Sequence, residues 1–160
     1  MVILGIDPGL ASTGFGAISC GTSPSLRRCG YIRTSSRQSM PSRLLQVYRD
    51  IRELIGAVNP DMVGIENVFS LARYPKAGIL LGAVLGVLYL AVEESTLPLF
   101  EISPREVKNC LVGYGGASKD QVKETTRRIL GVSDLSSFHA ADALAVALTV
   151  FYRNGGRGRI

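Results

Sequence analysis

The sequence predicts an α/β domain in which helices flank a five-stranded mixed sheet. Three observations predict it. Three short strand-like runs open the chain, helix-like and strand-like segments then alternate, and three helices close it.

Val2–Asp7 is an apolar run ending in an acid and reads as a buried strand. A turn around Pro8-Gly9 leads to a second strand, Gly14–Cys20, and Arg27–Thr34 supplies the third. Ser42–Val58 carries Leu44, Val47, Tyr48, Ile51, Leu54 and Ile55 at helical spacing. Asn59-Pro60-Asp61 breaks that helix, and Met62–Glu66 is a short strand that again closes on an acid. An uncharged helix, Ala77–Val92, precedes a fifth strand at Pro98–Ile102. Ser103-Pro104-Arg105-Glu106 then offers a capping serine, a proline at the first helical position and a glutamate at the third. Ser118-Lys119-Asp120-Gln121 offers another capping box, and the last helix spans Phe138–Tyr152. The expected organisation is one domain, residues 1–153, with a flexible basic tail at 154–160.

A chain of 160 residues with 46% hydrophobic and 19% charged residues is globular in composition. Its three cysteines (Cys20, Cys29, Cys110) form no CxxC pair, so neither a disulfide framework nor a zinc site is indicated. The chain opens Met1-Val2-Ile3-Leu4 without a basic leader, which sets a cytoplasmic expectation. Ala77–Val92 is 16 residues long between Lys76 and Glu93. A membrane span needs ~20, so a buried core helix or a subunit interface is expected and no membrane partner.

Three acids stand out by position. Asp7 closes the first strand within Gly5-Ile6-Asp7-Pro8-Gly9, where a carboxylate is unfavourable unless it is paired or binds a cation. Asp-Pro-Gly is also an ordinary turn. Glu66 closes a second apolar strand, and two such strand ends can meet at one edge of a sheet. Asp142 lies three residues after His139, the only histidine, within Phe138-His139-Ala140-Ala141-Asp142-Ala143-Leu144-Ala145. On a helix the two share a face. The alanines around them let that helix approach a sheet closely. Three carboxylates and one imidazole suit Mg²⁺ or Mn²⁺, and two such ions about 4 Å apart can stabilise both oxygens of a phosphoryl displacement. The net charge is +5; without these three acids, 18 cations face 10 acids, a balance of +8. A cationic surface around a negative pocket fits a polyanion partner and a bound cation.

Together, Gly5-Ile6-Asp7-Pro8-Gly9, Ile65-Glu66-Asn67-Val68-Phe69, Val107-Lys108 and His139-Ala140-Ala141-Asp142-Ala143-Leu144-Ala145 resemble the RuvC Holliday junction endonucleases. The blocks occur in order from residue 2 to about 152. The order of elements is similar to the ribonuclease H-like fold, although the pattern alone is equally compatible with a doubly wound nucleotide-binding fold. The resemblance implies a structure-selective endodeoxyribonuclease that nicks two opposed strands of a four-way DNA junction. It implies a homodimer, a partnership with the RuvA–RuvB branch-migration complex, and two divalent ions per site, Mg²⁺ or alternatively Mn²⁺. Asp7, Glu66, His139 and Asp142 fall on the family's catalytic metal-binding positions. Phe69 matches an aromatic that stacks on bases, and Lys108 and Lys119 match DNA-contacting positions. One stretch departs. After Phe69 the family's basic positions are apolar here, leaving Arg73 and Lys76, and Gly78, Gly82 and Gly86 form a small-residue stripe. That stripe suits either a dimer interface or close packing on the protein's own sheet.

Three other classes compete. A YqgF-type RNA-processing nuclease shares the first acid motif but not Phe69 or the His139–Asp142 block. An actin-like nucleotide-binding fragment needs a longer chain. A catalytically dead DNA-binding module would not keep four capable ligands.

Overall fold

The computed structural model describes residues 1–67, 75–135 and 137–156. Every predicted element forms within them. The strands are β1 (Val2–Asp7), β2 (Ser12–Cys20), β3 (Pro24–Arg33), β4 (Met62–Glu66) and β5 (Leu99–Ile102). The helices are α1 (Met40–Val58), α2 (Pro75–Glu93), α3 (Pro104–Val112), α4 (Lys119–Leu130) and α5 (Phe138–Arg153). Helix α1 starts two residues earlier than its periodicity suggests because the Ser39 hydroxyl caps it, accepting from the Ser42 N–H.

The sheet order is β3-β2-β1-β4-β5. The first three strands form the antiparallel meander, and β1–β4 and β4–β5 are parallel, so the sheet is mixed. Parallel pairing puts the carboxyl ends of β1 and β4 at one edge. Ile6 pairs with Ile65, so Asp7 and Glu66 are the next residues on adjacent strands. Alternation then fixes their face. Ile6 and Ile65 belong to the core beneath α1 and α2. Asp7 and Glu66 therefore face the other side, where α3, α4 and α5 cover the sheet.

Helix α5 lies unusually close to that face because a row of glycines admits it. Gly16, Gly5 and Gly64 are register partners across β2, β1 and β4. An added Cβ on Gly5 would stand 2.0 Å from the Ala143 carbonyl oxygen, and one on Gly14 would stand 2.1 Å from that of His139. On the helix side Ala140, Ala143 and Ala147 are buried. Small residues on both surfaces thus lower α5 onto the strands, carrying His139 and Asp142 toward the strand-end acids.

Helix α2 corrects two expectations. It is 19 residues long, and Lys76–Glu93 is long and apolar enough to cross a membrane by length and composition. It is no core helix either, since only 22% of that stretch is buried. Val84, Leu88, Ala91 and Val92 pack inward against the α1 side of the sheet. Gly82 and Gly86 are exposed, with no heavy atom of the described residues within 4 Å of an added Cβ, so at these two positions the stripe does not pack on the protein's own sheet.

Candidate active site

Asp7 and Glu66 reach the site from the ends of β1 and β4, and Asp142 and His139 from the first two turns of α5. The His139 Nδ1 lies 3.2 Å from the Asp7 Oδ2. The Lys119 ammonium donates to the Asp142 Oδ2 at 2.9 Å. A full capping box fixes Lys119 in place: the Ser118 hydroxyl accepts from the Gln121 N–H while the Gln121 side chain accepts from the Ser118 N–H. Ser103 caps α3 through the Glu106 N–H, but the Glu106 carboxylate turns to Arg153 instead of completing a box. A cavity of about 260 Å³ lies beside the acids, lined by Glu66, Pro104, Val107, Lys108, Lys119, Val122 and Asp142.

The acids share one field. Burial pushes the Asp7 carboxyl up to about 6; its contact with His139 opposes the rise and the charge of Asp142 adds to it. Glu66 is pushed up to about 7, first by burial and then by the charges of Asp7 and Asp142. Asp142 in turn holds the Lys119 ammonium above its usual range, chiefly through their hydrogen bond. Side-chain exposure is only 16% for Asp7 and 15% for Asp142, so solvent screens their repulsion poorly.

Among the described residues no three histidine, cysteine, aspartate or glutamate side chains are arranged to hold one metal ion. His139 engages Asp7 and Lys119 engages Asp142, which leaves pairs rather than a closed cage. The donor set still fits a hard divalent cation: three oxygen donors and an imidazole, with carboxyls that burial and mutual charge destabilise in ionised form.

The structure therefore brings together Asp7, Glu66, His139, Asp142, Lys108 and Lys119. Phe69 and Arg73 lie outside the described residues. Arg127 pairs with Glu124 through two hydrogen bonds and donates to the Val132 carbonyl, an arrangement local to α4. Sequence reasoning missed Tyr31, whose ring stands 6.4 Å from that of His139. Its strand position was visible, but the cross-strand register that puts it beside α5 was not.

A mixed five-stranded sheet with acids at adjacent parallel strand ends, met by a further acid from a covering helix, defines a nuclease of the ribonuclease H-like class. The family model described as crossover junction endodeoxyribonuclease RuvC matches residues 3–150. A crossover junction endodeoxyribonuclease RuvC of Chlorobium phaeovibrioides is 41% identical over 159 residues, covering 98% of this chain and 84% of that one. Another, of Natranaerobius thermophilus, is 39% identical and covers 92% of each chain. Thermus thermophilus RuvC in complex with a Holliday junction substrate is 31% identical with a TM-score of 0.90, covering 99% of this chain and 98% of that one. The chain belongs to the RuvC family and is a hydrolytic endodeoxyribonuclease.

Proposed function

We propose that this chain resolves four-way DNA junctions by nicking two opposed strands, with Asp7, Glu66, His139 and Asp142 as its catalytic, cation-binding residues. The convergence of these four side chains at one sheet edge carries the reading. Asp7, Glu66, His139 and Asp142 would hold a divalent cation, Mg²⁺ or Mn²⁺, which would supply Lewis acidity for phosphodiester hydrolysis; the reading includes a second ion at the same residues. Asp7, Glu66 and Asp142 hold the negative charge that recruits it. With Nδ1 against Asp7, the Nε2 of His139 is the nitrogen left for a cation, a water or a phosphate oxygen. Lys108 and Lys119 rim the cavity and supply positive charge to the DNA backbone. Phe69 completes the reading as a base-stacking residue.

The same reading includes a homodimer that works with the RuvA–RuvB branch-migration complex, because two equivalent nicks follow from a twofold axis. An exposed apolar surface supports the dimer. Ile79 is 74% exposed and Leu90 54% exposed on α2. Beside them Pro41, Leu44, Leu45, Tyr48 and Val87 complete a wholly apolar groove between α1 and α2. A continuous surface of this kind marks an interaction site.

The deciding experiment is cleavage of a synthetic mobile four-way junction beside linear duplex and an RNA–DNA hybrid, in Mg²⁺, Mn²⁺ or EDTA. Paired, cation-dependent nicks in opposed junction strands, with duplex spared, are expected. Junction binding without cutting in any cation, or preferential cutting of the hybrid, contradicts the proposal.

A further inference from the structure

We propose that Tyr31 is a positioning residue for His139, with Arg33 as its clamp. The inference rests on the reading that His139 works in the site. It begins with the register of the meander. Tyr31 on β3 pairs with Gly14 on β2, so both face the α5 side of the sheet. Gly14 leaves the space into which the His139 backbone settles. The Tyr31 ring then stands 6.4 Å from the imidazole at 55°, within the range of favourable aromatic pairs.

Tyr31 is 46% exposed, and its hydroxyl makes no hydrogen bond among the described residues. Core packing therefore does not explain a large ring at this place. Arg33, two residues on, holds its guanidinium 5.7 Å from the ring centre and forms no ion pair among the described residues. That cation–aromatic contact fixes the outer side of the ring.

His139 needs such support. It sits in the first turn of a helix whose N-cap, Ser137, makes no side-chain capping bond. Its ring is half exposed and held on one side only, through Nδ1 against Asp7. Rotation about two side-chain torsions would swing Nε2 out of the site. The succession Arg33, Tyr31, His139, Asp7 restricts that rotation from both sides. Tyr31 touches no reacting group; it acts through the imidazole.

The test compares Tyr31→Ala and Tyr31→Phe by activity and by NMR. Because the chain has one histidine, its imidazole protons give a single assignable set of signals. Tyr31→Ala is expected to lower kcat on the junction about tenfold with KM little changed, as loss of an orienting partner does. It should also move the His139 signals. Tyr31→Phe should restore both. In a His139→Asp background, Tyr31→Ala should cost nothing further, because a carboxylate has no ring to wall in. An equal loss in both backgrounds, or a loss confined to KM, overturns the proposal and makes Tyr31 a DNA contact. Should His139→Asp cut too slowly to measure, NMR decides: Tyr31→Ala should average the His139 side-chain couplings and weaken the NOEs from its imidazole to β1, and couplings and NOEs unchanged from wild type overturn the proposal. A His139→Ala variant that cuts like the wild type defeats the parent reading instead, while leaving the NMR result intact.

Discussion

Helices α5 and α2 are both long and rich in apolar residues, yet they have opposite surroundings. In α5 the residues Ala140, Ala141 and Ala143 through Phe151 are buried. In α2 most of the apolar stretch is open. The difference lies in what faces them. Helix α5 meets Gly5, Gly14, Gly16 and Gly64, whose missing side chains form a trough. Helix α2 rests on α1 with one face and leaves Ile79, Leu80, Gly82, Gly86 and Leu90 outside. Hydropathy records what a helix is made of; burial depends on whether another surface is shaped to receive it. The two faces thus differ in what they present: α5 carries His139 and Asp142 to the strand-end acids, and α2 carries the exposed apolar surface on which the proposed dimer would form.

Asp7→Asn is the largest perturbation of the α5 face. It is expected to reduce cleavage by about a thousandfold or more, equivalent to ~4 kcal/mol of barrier, with junction affinity in a gel-shift assay changed by less than about threefold. Binding rests on the cationic surface, so loss of both together would dissolve that separation of roles. Next in size is Gly5→Val, whose side chain meets the Ala143 carbonyl. Overpacking of this kind costs about 1–3 kcal/mol, read as a lower urea midpoint, and it should depress cleavage by lifting Asp142 from the strand ends. A fully active, equally stable variant would show that the trough does not seat the helix. On the α2 face, Leu90→Glu should change the unfolding free energy of the monomer itself by no more than about 0.5 kcal/mol while converting dimer to monomer in sedimentation. A dimer that survives this charge would place the interface elsewhere.

The last expected effect is on pH dependence. Asp7 and Glu66 hold their protons more tightly in the fold than in the unfolded chain, at about 6 and about 7. Their contribution to the stability of the cation-free protein is therefore fully present below about pH 4 and is lost as pH rises toward 6 for Asp7 and toward 7 for Glu66. For Asp7 the decline is on the order of 3 kcal/mol. Asp7→Asn should flatten part of the decline in thermal melts, and Mg²⁺ or Mn²⁺ should offset it. A profile that rises over the same interval would mean that these carboxyls are better accommodated ionised.

Much of this was legible in the sequence for a local reason. Strand ends, caps and helix faces are written in neighbouring residues. Asp7 and Glu66 could thus be read as strand-end acids, and His139 with Asp142 as one helix face. Register was not legible, because it is a relation between strands. Gly5, Gly16 and Gly64 look like unrelated glycines until pairing sets them in a row, and Tyr31 is one more strand aromatic until Gly14 stands opposite it. The exposure of α2 was undecided for the same reason: Ala77–Val92 reads equally as a core helix or a subunit interface until it is known that α1 covers only one of its sides.

The most direct test of this difference between the two faces is cleavage of a supercoiled plasmid extruding a cruciform, comparing wild type with Leu90→Glu in Mg²⁺. Wild type should convert the plasmid to linear product by paired nicks, and Leu90→Glu, at a concentration where it is monomeric, should stop at the nicked circle. Linear product from the monomeric variant, or equal cutting of a plasmid without the cruciform, would contradict the account.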